Sequence, residues 1–188
     1  MHHRYKHLLN WQHQQLNKRL DQETIESTDW QATQMAWEEE GKLTSGINTF
    51  SGTRTRTFKM KLLHQRLPTA SRKKLYNPSY PSDTCLHCEA IETTPHILIC
   101  KFTQDRLNII LTDLSTQIDT ELDQQVVIQD LLHSDPIRQH LLIKGLVPAT
   151  WTQPNEHQKE IKASTLQEKA AILINKLNRA FRTIIWNL

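Results

Sequence analysis

Residues 85–100, CLHCEAIETTPHILIC, hold all three cysteines of the chain, with a histidine set between the second and the third. The segment reads as Cys85-x2-Cys88-x7-His96-x3-Cys100. A C-x-x-C turn brings two thiolates to one ion at about 2.3 Å, the approach that tetrahedral zinc requires. Thr94 reads as an N-cap and Pro95 as the first residue of a helix, which puts His96 and Cys100 one turn apart on a single face. Two ligands from a turn and two from a helix complete a shell. Four protein ligands leave no position for water, so the expected zinc is structural and not catalytic.

Rival chemistries fit the pattern less well. A redox C-x-x-C expects a neighbouring βαβ pattern, and none is present. Cysteines are common as unligated core residues, but Cys85 and Cys88 lie in a polar, proline-flanked loop with no evident core face. His87 competes with His96 for the fourth position, yet it sits between two ligating residues and would have to coordinate from a strained turn. The gap before the histidine is longer than in a retroviral zinc knuckle, and a two-Cys, two-His finger needs a histidine where Cys100 stands. Three clustered cysteines are an odd number with no others to pair with, so a disulfide framework is excluded and a reducing, intracellular compartment is expected.

The charge around the cluster is arranged in blocks. Positions 21–40 carry seven carboxylates and no Lys or Arg, whereas positions 41–82 carry nine Lys or Arg and no carboxylate, although the net charge is only +3. Four histidines at positions 2, 3, 7 and 13 read as exposed polar residues of a first helix and not as a second metal site. No apolar run approaches the ~20 residues of a membrane span, and no apolar leader follows Met1. A soluble protein with no membrane partner is expected.

The elements that must position these groups read as helices joined by polar loops, an all-α fold with one structural zinc site. Leu8, Leu9, Trp11, Leu16 and Leu20 mark a first amphipathic helix. Thr28 and Gln31 read as a capping box that opens a second, carrying Trp30, Met35 and Trp37. The glycine-containing stretch 42–52 reads as a linker between an N-terminal helical segment, 1–41, and a basic helix plus zinc-binding domain, 53–104. In that domain Phe58, Leu62 and Leu63 share a helix face that Pro68 ends, and NPSYPSD runs extended into the cysteines. The region 105–188 is read as helical, with Gly145 at a helix C-terminus and a last helix opening at Thr165 with Glu168.

The segment KLLHQRLPTASRKKLYNPSYPSDTCLHCEAIETTPHILIC resembles the zinc-binding region at the C-terminal end of reverse transcriptases from non-LTR retrotransposons. A basic amphipathic helix, a Leu-Pro-Thr stop, a C-x2-C turn, a Glu-Thr pair and a His-then-Cys helix follow one another there. Leu67, Pro68, Thr69, Glu92 and Thr93 match that order here. STDWQA and KGLVPATW resemble the flanks of some such elements. The polymerase of the family needs adjacent metal-binding aspartates, and no Asp-Asp pair occurs in the chain. Nor is there room for the family endonuclease beside the zinc region. The resemblance therefore implies a non-enzymatic part of such an element, expected to be a C-terminal remnant because WNL resembles the middle of a family motif. A separate polymerase portion of the element is an implied partner.

The expected activity is nucleic-acid binding. Lys59, Lys61, Arg66, Arg72, Lys73 and Lys74 precede the metal loop, and Tyr76 and Tyr80 can stack on bases. Phosphate attraction plus sequence-tolerant stacking suits RNA or single-stranded DNA. The competing expectation is a helical protein-interaction module, in which the acidic segment with Trp30 and Trp37 docks a basic partner or masks the chain's own basic helix.

Overall fold

The apolar periodicity of the C-terminal region produces the longest helix among the described residues. In the computed structural model, which describes residues 22–42, 50–116, 122–130 and 141–186, the helices are α1 (Gln22–Glu26), α2 (Trp30–Lys42), α3 (Phe50–Leu63), α4 (Ala70–Tyr76), α5 (Thr94–Ile99), α6 (Lys101–Thr116), α7 (Gln124–Ile128) and α8 (Ala163–Trp186). Two 3-10 turns, Ala149–Trp151 and Glu156–Gln158, lie between α7 and α8. No strand forms among the described residues; the extended pairings there are the isolated bridges Thr28–Pro148 and Thr84–Ile91. The fold is predominantly helical. The first helix inferred from Leu8 to Leu20, the four N-terminal histidines and most of the proposed linker lie outside the described residues.

On α8, Leu166, Ala170, Ile174, Leu177 and Phe181 recur at helical spacing and are buried. That stripe packs mainly on α2 and also on α6. The approach to α2 is made through Ala32 and Ala36, both fully buried. Small side chains at those positions let the two helices approach closely. From α6, Leu107, Leu111 and Leu114 enter the same cluster, joined by Phe58 and Leu62 of α3 and by Ile97 and Leu98 of α5. The helix that carries His96 and leads into Cys100 is thus anchored in the main core.

Helix ends differ from the sequence reading by one to several residues, for local reasons. Asp29, not Thr28, caps α2, because its Oδ1 accepts the Ala32 N–H at 2.9 Å, while Thr28 is used in the bridge to Pro148. α8 opens at Ala163, two residues before Thr165. α3 begins at Phe50, inside the stretch read as linker, and ends at Leu63, before Pro68. Residues 141–143 are helical, and Gly145 closes them as expected. Its N–H donates to Leu142 O and the Leu146 N–H donates to Leu141 O, a Schellman closure, with φ +89° at Gly145. A Cβ there would meet Trp37 Nε1 at 2.9 Å, so both backbone and packing require glycine.

The two flanking segments named above meet in space. Asp29 N–H donates to Val147 O at 2.8 Å and Ala149 N–H to Ser27 O at 2.7 Å. Thr152 Oγ1 donates to Asp29 Oδ2 at 2.6 Å, and Gln167 Nε2 donates to the same oxygen at 3.0 Å. One carboxylate therefore joins the start of α2, the 3-10 turn and the start of α8.

Candidate metal centre

The loop before α5 closes on itself through short-range hydrogen bonds. Cys85 N–H donates to Ala90 O at 2.7 Å, Glu89 N–H to Cys85 O at 3.0 Å, and Glu92 N–H to Asp83 O at 2.8 Å. To make the tight turn, Glu89 takes φ 61°, in the left-handed region that disfavours a side chain. Glu89→Gly is expected to stabilise the loop by about 0.5–1 kcal/mol, the steric relief less the larger unfolded-state freedom of glycine. Urea unfolding of the metal-loaded protein checks this, and an unchanged or lower midpoint would refute it.

After the turn, Thr93 caps α5, its hydroxyl accepting the His96 N–H at 3.2 Å. The cap lies one residue earlier than expected, so Thr94 is the first helical residue and Pro95 sits within the first turn. The spacing argument survives the shift. His96 stays in the helix and Cys100 ends it, with the Cys100 N–H donating to His96 O at 2.7 Å. Gln104 Nε2 donates to Leu98 O, which holds the junction between α5 and α6.

Ligand atoms of Cys85, Cys88, His96 and Cys100 all lie within 4.8 Å of one another. Cys85 Sγ and Cys100 Sγ are 4.0 Å apart, Cys88 Sγ and Cys100 Sγ 3.9 Å, and Cys88 Sγ and His96 Nε2 3.3 Å. A tetrahedral ion with bonds of about 2.3 Å to sulfur and 2.0 Å to nitrogen sets its ligands about 3.8 Å (S to S) and about 3.5 Å (S to N) apart. The spread of the four atoms fits a metal ion at their centre. A covalent S–S bond is about 2.0 Å, and the three cysteines are free thiols.

The loop acts on two of its sulfurs in opposite directions. Burial pushes the Cys85 thiol up from its ordinary value, while the backbone N–H groups of His87 and Cys88 bond to it and act the other way. The Ala90 N–H bonds to Cys88 and lowers its thiol pKa. Backbone donors turned onto sulfur favour the thiolate, the form that ligates metal. Cys85 and Cys100 are buried, contrary to the polar-loop reading of Cys85, whereas Cys88 is exposed.

His87 is not part of the quartet. Its ring stacks on Phe102 of α6 at 3.6 Å between centroids, 11° from parallel, and the Arg106 guanidinium lies 4.6 Å over the Phe102 ring. Phe102 and Arg106 were missed in the sequence. They are i and i+4 on α6, and only the fold places His87 on that pair.

The residues that carried the resemblance outside the ligands brace the loop. Leu67 is fully buried, and Thr69 caps α4 by accepting the Arg72 N–H at 3.4 Å. Glu92 Oε1 accepts the Ala70 N–H at 2.8 Å, while Glu92 O accepts the Ser71 hydroxyl at 2.7 Å. The start of α4 is thereby tied to the loop segment that leads into α5.

The basic residues divide into two sets. Lys61 and Arg66 are exposed. Arg72, Lys73, Lys74 and Tyr76 lie on α4, a helix not read in the sequence, where Arg72 Nη2 donates to the Tyr76 hydroxyl at 2.9 Å. Lys59 is different. Its Nζ donates to Ala36 O at 3.1 Å and to Asn175 Oδ1 at 2.5 Å, so it is turned inward between α2 and α8 and does not join the exposed basic face. No helix among the described residues is long and apolar enough to cross a membrane. No family model, curated protein or solved structure matches the chain.

Proposed function

We propose that residues 53–104 form a zinc-braced helical module that binds nucleic acid without catalysis, in the manner of the C-terminal zinc-binding region of non-LTR retrotransposon reverse transcriptases. The observation that carries this reading is the Cys85, Cys88, His96, Cys100 quartet, whose spacing suits a tetrahedral ion, set directly behind a forty-two-residue stretch without a carboxylate. Zinc is the metal of choice for three thiolates and an imidazole. With all four positions taken by protein, its work is to fix the loop. Glu92 then transmits that fixed position to α4, so that Arg72, Lys73, Lys74 and Tyr76 are presented as a set. Clustered Lys and Arg attract phosphate, and tyrosine offers a stacking face for any base. The favoured target is RNA or single-stranded DNA, with a separate polymerase portion of the same element as a partner.

If phosphate neutralisation dominates, log affinity falls linearly with log salt, by about 0.7 per contacted phosphate on a single strand. Replacing Arg72, Lys73 and Lys74 together by alanine is expected to weaken binding and to reduce that slope by about 2. Filter binding at several salt concentrations measures both. Binding by the triple variant with an unchanged slope would refute the assignment of these side chains.

A second reading is favoured by the exposed apolar residues around the loop, Leu75 (73%), Leu86 (87%) and Ile91 (59%). A helical protein-interaction module would use them as anchors. Such binding would respond little to ionic strength, so the same titration separates the two readings.

A further inference from the structure

A groove of about 670 Å³ opens between α4 and the metal loop. It falls within the ~300–1,000 Å³ typical of sites that enclose small ligands. Cys85, His96 and Cys100 of the quartet line one part of it, the part a bound metal would share, and Ile97, Tyr80 and His87 also belong to its lining. The groove is mostly apolar in character, but its borders are not. Lys73 Nζ lies 5.4 Å from the centre of the Tyr80 ring, and behind His87 stand the Phe102 ring and then the Arg106 guanidinium. The lining thus carries one ring beside a cation, Tyr80 with Lys73, and a second ring, His87, whose backing pair Phe102 and Arg106 lies outside it. The one carboxylate in the lining, Glu92, is already engaged by the Ala70 N–H.

Flat rings in a mostly apolar groove suit the face of a nucleobase, and the Lys73 cation suits a phosphate beside it. A paired base cannot enter, because its faces are covered by neighbours in the helix. We propose that this groove is a nucleotide-binding subsite that receives one unstacked base of a single-stranded nucleic acid, with Tyr80 as the stacking platform, Lys73 as a flanking phosphate contact, and His87 as a second ring of the lining. This rests on the nucleic-acid reading above and adds to it where the base goes. It also moves the stacking role inward, from Tyr76, which is 72% exposed on α4, to Tyr80.

The test uses the full chain loaded with zinc and a twelve-nucleotide oligouridine, single-stranded or paired with its complement, in fluorescence anisotropy at fixed salt. Tyr80→Ala is expected to lose about five-fold or more in affinity for the single strand and little for the duplex. Tyr80→Phe, which keeps the ring, should stay within about two-fold of the wild type. An oligonucleotide carrying one photoreactive 4-thiouridine, cross-linked to the wild-type protein, is expected to label the peptide spanning residues 80–92, and this readout does not depend on any variant folding. Wild-type affinity in Tyr80→Ala, or labelling confined to residues 61–76, would overturn the groove while leaving the basic face as the binding surface. Absence of binding by the wild type to either oligonucleotide would overturn the groove and the nucleic-acid reading together.

Discussion

Cys100→Ser is expected to abolish a zinc content of one ion per chain. Cys100 Sγ is the hub of the quartet, 4.0 Å from the sulfur of Cys85 and 3.9 Å from that of Cys88, and it is buried, so water cannot replace it without opening the junction of α5 and α6. Structural zinc sites contribute about 10 kcal/mol or more, which appears as folding energy. Most of that should be felt locally. A chelator, or the serine variant, is expected to expose the amides of residues 83–100 to hydrogen exchange first, those of Cys85 and Glu92 included, because their partners Ala90 and Asp83 lie in the same loop. The core formed by α2, α6 and α8 has its own apolar contacts and should exchange later. Elemental analysis of the wild type and of Cys85, Cys88, His96 and Cys100 variants checks the assignment. No metal in the wild type, or full retention in Cys100→Ser, would sink it.

That site was legible because its information is local. The C-x-x-C turn and the His96 to Cys100 interval depend only on a turn and a single helical turn, so a cap displaced by one residue left the ligands on the same face. Lys59 shows the opposite failure. As a basic residue in a basic stretch it was counted with the exposed cations, yet it lies at i−3 and i−4 from Leu62 and Leu63, on the buried side of α3, and Asn175 waits 116 positions away to receive it. The spacing signal was present; the charge-block argument overrode it. α4 was not read because seven residues with three cations give no apolar period, and its start is held by Glu92, twenty-two positions later. Neither the stack of His87 on Phe102 nor the slot it helps to form has a sequence signature, since both depend on where α6 turns after Cys100.

Asp29→Ala is expected to be strongly destabilising although it lies outside the metal loop. Asp29 Oδ1 receives the Ala32 N–H at the start of α2, and Oδ2 receives Thr152 Oγ1 and Gln167 Nε2, from residues 123 and 138 positions away. Alanine would remove an N-cap, worth about 1 kcal/mol, and two hydrogen bonds to a charged acceptor, each worth about 1.5–3 kcal/mol, leaving the buried Thr152 hydroxyl to find another partner. That hydroxyl also lies 3.2 Å from Ala149 O, which offsets part of the loss. A net cost of about 3 kcal/mol follows. Asp29→Asn separates the contributions, because asparagine caps as well as aspartate but carries no charge and only one acceptor oxygen, so it should recover about 1 kcal/mol of the deficit. Urea unfolding followed by circular dichroism measures both variants, and zinc content measures a different outcome on the same samples. Since Asp29 touches neither the loop nor α4, zinc should stay at the wild-type level in folded Asp29→Ala, and loss of stability with loss of metal in equal step would show that the helical core and the metal loop fold as one unit.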